Sequence, residues 1–183
     1  MKTLDKIELF LEVAGVHGTQ ADYELYEGKL LPEESQEFFK AYAQKDRKEM
    51  LDGLADMEFE QWCLAIFENE KLNTLDAATD WSAVIEPCVR LSTFTYSDVR
   101  KALDRVCDSN LTKFDKTLGE ARLTAVKYSH IGIDTYQLET NEHGLIPTFS
   151  ASDQYDINGD FYPKDKLLKS ATNYKAPDFT GLL

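Results

Sequence analysis

The sequence lacks the features that mark membrane and secreted proteins. It has no run of about eighteen apolar residues, so we expect no membrane-spanning helix. The N-terminal stretch MKTLDKIELFLEVAG carries acids within its apolar part, unlike a signal peptide. The three cysteines, Cys63, Cys88 and Cys107, are far apart and form no CxxC pair, which favours reduced core residues over a redox site. We therefore expect a cytoplasmic protein that binds no membrane.

Basic residues and glycine-rich motifs are also scarce. The chain has 20 lysine and arginine residues against 33 aspartate and glutamate residues, a formal net charge of −13. Such a charge repels polyanions and attracts divalent cations, so sequence-independent binding of nucleic acid is not expected. Neither GxxxxGK[ST] nor GxGxxG occurs, and phosphate binding by a glycine-rich loop is therefore not supported.

What the chain does have is enough apolar material for a core. Its 183 residues, 43% of them apolar and 11% aromatic, fit one folded domain spanning 1–183. Apolar residues recur at helical spacing through most of residues 1–125, which predicts an antiparallel bundle of about four or five helices. The predicted helical stretches are LDKIELFLEVAG, a segment from Pro32 to QKDRK, EMLDGLADMEFEQWCLAIFENE, DAATDWSAVIEPCVRL and TYSDVRKALDRVCDSN.

Three further features of the pattern complete the fold prediction. The polar, glycine-containing stretch VHGTQADYELYEGK predicts a connection with at most one helical turn. Thr95 or Ser97 is the candidate N-cap of the last predicted helix. In residues 126–183, β-rich runs flank NEHG and Asn158-Gly159, which predicts one or two short hairpins. The fold class is therefore all-α with a small C-terminal β-hairpin extension.

Acidic residues recur at helical spacing on two neighbouring predicted helices. In PEESQEFF, Glu34 and Glu37 lie on one helix face, with Glu33 beside them. The next predicted helix repeats the pattern, and a short connection would make the two helices antiparallel neighbours. The acids of this second helix are Glu49, Asp52 and Asp56.

These carboxylates predict either a metal site or a solvated helix face. Like charges close together in a partly buried place oppose folding unless a cation neutralises them. All-oxygen ligand sets suit Mg²⁺ or Mn²⁺, which bind phosphates with their remaining positions. A di-iron carboxylate bundle needs Glu-x-x-His on two helices, whereas His17, His130 and His143 have no glutamate three residues before them. Iron is therefore disfavoured.

The motifs EESQE at 33–37 and EMLDGLAD at 49–56 together resemble the EExxE and ExxD signature of the MazG-like, all-α NTP pyrophosphohydrolase superfamily. DSNLTKF at 108–114 and KDKLLKSATNYKAPDF at 164–179 are similar to later segments of phage and bacterial MazG-like proteins. The resemblance implies hydrolysis of a (deoxy)nucleoside triphosphate between its α and β phosphates, giving a monophosphate and pyrophosphate. It also implies a homodimer or homotetramer.

The resemblance carries over to individual residues by position. It implies Mg²⁺ ligands at Glu34, Glu37, Asp52 and Asp56, with Glu33 and Glu49 completing or supporting the site. Gly53 departs from the pattern, because the family usually has an acid three residues before its last aspartate. Both Glu49 with Asp52 and Asp52 with Asp56 are helix-compatible pairs, and the sequence leaves open which pair binds metal.

Chemistry at such a site needs a base and cations. A carboxylate that metal does not saturate, Glu33 or Glu37, is the candidate to take a proton from the attacking water. Five downstream residues are the candidates for substrate binding: Asn110, Lys113, Lys166, Lys169 and Tyr174. The competing hypothesis is a non-enzymatic acidic interaction module, such as a nucleic-acid mimic, which would spread its acids over the surface.

Overall fold

The computed structural model describes residues 1–68 and 82–183, and these are mostly helical. The helices are α1 Thr3–Ala14, α2 Gln20–Leu25, a π-helical turn Tyr26–Leu30, α3 Leu31–Gln44, α4 Arg47–Glu68, α5 Ser82–Leu91, α6 Tyr96–Leu111 and α7 Leu118–Ser129. The strands form two antiparallel pairs near the C-terminus, β1 Thr135–Gln137 with β2 Thr148–Ser150 and β3 Gln154–Tyr155 with β4 Phe161–Tyr162. Within the described ranges, no helix is both long enough and apolar enough to cross a membrane.

The chain folds into two compact units. The first is built from residues 1–9, 17–108 and 176–183, and the second from residues 10–16 and 109–175. All six predicted metal-site acids belong to the first unit, and all five predicted substrate-binding residues belong to the second.

In the first unit, the region predicted as a connection is helical. Helix α2 begins at a capping box in which Thr19 and Asp22 exchange hydrogen bonds, and the π turn then leads directly into α3. Pro32 lies in the first turn of α3, just after that π turn. A proline ring clashes with the carbonyl four residues back in a regular α-helix, and the wider π turn offers more room there. Pro32 is thus accommodated inside a helical run.

Helix α4 is long and mostly buried, as its apolar pattern predicts. Twelve of its residues are buried, including Leu51, Leu54 and Met57, each of which has no exposed surface.

Helix α5 begins at Ser82, so the predicted helical residues 76–81 lie outside the described residues. Helix α6 begins just after Thr95, whose side chain and backbone exchange hydrogen bonds with Asp98. Thr95, rather than Ser97, is therefore the N-cap. Cys63, Cys88 and Cys107 are buried, as predicted.

The second unit contains both predicted hairpins. Strands β1 and β2 flank the NEHG turn, and β3 and β4 flank Asn158-Gly159, where Gly159 has a φ of +90°. The unit also contains α7, which the pattern did not predict. Asp115 is fully buried in this unit, and its Oδ1 accepts hydrogen bonds from the hydroxyls of Thr124 (3.1 Å) and Ser170 (2.5 Å).

Candidate metal site

Helices α3 and α4 come into close contact at Phe38 and Gly53. The two helices are joined by Lys45 and Asp46, with Lys45 in the left-handed region at a φ of 58°, so they run antiparallel. A Cβ added at Gly53 would lie 3.2 Å from the backbone nitrogen, Cα and Cβ of Phe38. The missing side chain at Gly53 therefore allows this close contact between the two helices.

The contact between Phe38 and Gly53 is a reference point from which the position of each acid along the helix axes can be measured. At a rise of about 1.5 Å per residue, Glu34 lies about 6 Å from Phe38 along the axis, and Asp56 lies about 4.5 Å from Gly53 toward the same end. Glu37 and Asp52 each lie about 1.5 Å from the contact. The acids at these four positions thus share one region of the helix pair.

The predicted metal-site acids of α3 and α4 differ in how much of each side chain is exposed to solvent. Glu33, Glu34, Asp52 and Asp56 are half-buried, while Glu37 is exposed. The Oδ1 atom of Asp52 is shielded from solvent. A partly buried set of carboxylates on adjacent helices is the chemical setting in which a hard cation offsets repulsion.

Glu49 lies apart from this region. It is in the first turn of α4, about 6 Å beyond the contact on the side away from Glu34 and Asp56. Its carboxylate forms a salt bridge with the neighbouring Lys48 at 2.8 Å, and both side chains are about half exposed. Of the two pairs that the sequence leaves open, the helix geometry therefore favours Asp52 with Asp56.

The donor types fit Mg²⁺, although the side chains do not converge on one point. In the ranges 1–68 and 82–183, no three of the predicted acids bring ligand atoms within 4.8 Å of one another. Oxygen-only carboxylate ligands are those that Mg²⁺ prefers, and Mg²⁺ usually keeps several waters and uses few protein ligands. Carboxylates that hold the ion partly through its waters are consistent with that preference.

A different group of potential ligands does converge, in the second unit. Ligand atoms of Glu12, Glu142 and His143 all lie within 4.8 Å of one another, and all three residues are exposed. The Nε2 atom of His143 lies 3.1 Å from Oε1 of Glu12. The hydrogen bond with His143 lowers the pKa of Glu12. No local pattern predicts this group, because residue 12 is about 130 positions along the chain from its partners.

The five predicted substrate-binding residues lie in two parts of the second unit, at and just after the end of α6 and in residues 166–174. Asn110 is buried, and its carbonyl accepts a hydrogen bond from the backbone nitrogen of Lys113. The Lys169 ammonium lies 4.8 Å from the centre of the Tyr174 ring. Lys113, Lys166 and Tyr174 are half-buried. These side chains are therefore partly engaged within the protein, and their role in binding substrate stays a prediction.

Comparison of the chain with protein-family models, with curated proteins and with solved structures found no match.

Proposed function

We propose that the protein is a Mg²⁺-dependent nucleoside triphosphate pyrophosphohydrolase of the MazG-like, all-α kind. The proposal includes an antiparallel bundle in the first unit, a homo-oligomer and a cytoplasmic location. The observation that carries it is the close pairing of α3 and α4 at Phe38 and Gly53. That pairing supports the proposal because two acid-bearing helices lie side by side, with four of the acids half-buried.

Within the proposal, the six acids have three roles. Glu34, Glu37, Asp52 and Asp56 are the residues that would hold Mg²⁺, and the ion would supply positive charge to the triphosphate and its leaving group. Glu33 is half-buried beside Glu34 and is suited to accept the proton of the attacking water. Glu49 contributes its charge locally to Lys48 and the start of α4.

The test is pyrophosphate release from a panel of nucleoside triphosphates with Mg²⁺, with the monophosphate product measured in parallel. We expect Glu37→Gln and Asp56→Asn each to lower kcat/KM by about a hundredfold or more, as the loss of one charged or polar group that stabilises a reacting centre does. Circular dichroism and thermal unfolding should show an intact fold in both variants.

Glu49→Gln is the matched control, because it removes the same charge from the same helix pair at a different height. We expect it to keep most of the activity. Full activity in both Glu37→Gln and Asp56→Asn would contradict the metal assignment. Loss of activity in Glu49→Gln but not in Asp56→Asn would move the metal to the pair Glu49 and Asp52.

A further inference from the structure

A groove with several cationic side chains lies along one face of α6, in the first unit. Its cavity measures about 700 Å³. The lining residues recur in steps of four along the helix, as one face requires. They are Tyr96, Ser97, Arg100, Lys101, Asp104 and Arg105. Three of these six side chains are cationic, in a chain whose net charge is −13.

The one acid in the groove already has partners inside the unit. Oδ1 of Asp104 accepts hydrogen bonds from the Lys6 ammonium and the Thr3 hydroxyl, both at 2.9 Å. The Lys6 side chain is only 8% exposed, and it also reaches Asp108 at 2.7 Å. Lys6 thus offsets part of the charge of Asp104, and the three cations of the groove still outnumber its one acid.

The three cations of the groove form no salt bridge within 4.0 Å in the part of the chain that the structure describes. Arg100 and Lys101 are exposed. Arg105 donates to two neutral acceptors, the carbonyl oxygens of Asp178 and Thr180. A guanidinium has five N–H donors, so Arg105 keeps both its charge and further donors. At longer range, Arg100 acts on Glu58, Lys101 on Asp98 and Arg105 on Asp178, and Asp104 lines the groove itself.

We propose that this groove binds a chain of two or three phosphate groups directly, without a metal ion. Arginine presents paired donors that match phosphate oxygens, and lysine adds a compact charge. Arg100 and Arg105 are separated by about 7.5 Å along the helix axis, so they can contact different phosphate groups of one ligand. Tyr96, which is 48% exposed at the N-terminal end of the groove, offers an aromatic surface beside the phosphates.

The phosphate groove is separate from the acidic region of α3 and α4 in its chemistry. It uses cations where the proposed hydrolase site uses carboxylates, and it requires no Mg²⁺. The proposal therefore does not depend on the proposed function. Binding measured in the presence of a chelator tests the groove alone, while pyrophosphate release with Mg²⁺ tests the carboxylates.

The experiment is calorimetric titration of the full chain with inorganic triphosphate in EDTA. We expect binding that weakens as salt is added, because the contacts are ionic. The double variant Arg100→Gln/Lys101→Gln should bind at least about tenfold more weakly, since each charge-assisted hydrogen bond contributes that much or more. Lys40→Gln/Arg122→Gln is the matched control, because it removes two positive charges from exposed positions on other helices. It should bind as the wild type does.

The source of the phosphate chain is identified by a second titration with a nucleoside triphosphate in the same buffer. Tighter binding than that of inorganic triphosphate, with Tyr96→Ala removing only the difference, identifies a nucleotide. Equal binding identifies a free oligophosphate, and both results support the groove. Three results would overturn it: no binding of inorganic triphosphate by the wild type, unchanged binding by Arg100→Gln/Lys101→Gln, or equal weakening in the two double variants.

Discussion

Gly53 shows how one missing side chain can determine the spacing of two helices. A Cβ at this position would meet backbone atoms of Phe38 at 3.2 Å, and backbone atoms cannot move aside as a flexible side-chain end can. The MazG-like motif on which the proposed function draws has an acid at this position. In this structure, an acid at residue 53 would push α3 and α4 apart. Asp52 and Asp56 flank the glycine and supply acids without occupying the contact.

We predict that Gly53→Ala lowers the free energy of unfolding by about 1–2 kcal/mol. Overpacking costs about 1–3 kcal/mol, and the better helix propensity of alanine returns at most about 1 kcal/mol. Urea unfolding followed by circular dichroism measures the change. Gly28→Ala is the control, because its Cβ would meet nothing within 4 Å, and it should leave stability unchanged or slightly higher. Equal stability of the two variants would contradict the close contact.

Asp115 is an acid that the protein buries completely. Burial raises its pKa above the usual 3.8, and hydrogen bonds from Ser170 and Thr124 offset this only in part. The folded protein therefore holds a proton at Asp115 more readily than the unfolded chain does. This stabilising contribution is present below the unfolded pKa and is lost as the pH rises through the folded pKa.

We predict that Asp115→Asn becomes more stable relative to the wild type as the pH rises from about 3 to 7, because asparagine cannot ionise. Its amide can still accept the two hydroxyl hydrogen bonds. Urea unfolding at a series of pH values measures the difference. Asp98→Asn should show the opposite trend, since hydrogen bonds from the backbone and side chain of Thr95 lower the pKa of Asp98. A flat difference for Asp115→Asn would show that Asp115 does not titrate differently on folding.

At the scale of the element, the start of α6 depends on a capping box. Thr95 and Asp98 exchange hydrogen bonds at the N-terminus, whereas Ser97 lies within the helix. We predict that Thr95→Ala costs about 1 kcal/mol of stability, and that Ser97→Ala costs no more than a few tenths. Thermal and urea unfolding of the two variants provide the comparison. A larger loss in Ser97→Ala would assign the cap to Ser97 instead.

The elements that the sequence predicts well are those whose apolar residues are also the buried ones. Helix α4 follows this rule through Leu51, Leu54 and Met57. Helix α7 breaks it, because Leu118, Leu123 and Val126 are at least half exposed while it buries Ala121, Thr124 and Tyr128. Its apolar periodicity therefore points to the wrong face. Helix α2 has six residues, too few for periodicity to be informative.

The candidate site also has a part that the sequence predicts and a part that it does not. Helical spacing alone places Glu34 with Glu37 and Asp52 with Asp56, since these pairs are local. The spacing of acids in the sequence does not show which acids of the two helices lie at the same level along the helix axes. That depends on the turn at Lys45 and the contact at Gly53. The charge of the phosphate groove also depends on Lys6, about 100 residues away along the chain, which pairs with Asp104.

At the scale of the whole molecule, the first unit is assembled from both ends of the chain. Residues 1–9 and 176–183 belong to it together with the long segment 17–108. Near the C-terminus, Phe179 is only 2% exposed, and Arg105 of α6 donates hydrogen bonds to the carbonyls on either side of it. Phe179 therefore belongs to the core of this unit, and the stability of the unit should depend on it.

We predict that Phe179→Ala lowers the free energy of unfolding by about 3–5 kcal/mol, the usual cost of deleting a buried phenyl ring. Leu183→Ala, four residues further on at a position that is 53% exposed, is the matched control and should change stability little. Urea unfolding of both variants, followed by tryptophan fluorescence, reports on the first unit, because both tryptophans of the chain, Trp62 and Trp81, belong to its segment 17–108. If the two variants unfold at the same urea concentration, the C-terminal residues contribute nothing to that core, and residues 17–108 must supply its stability without them.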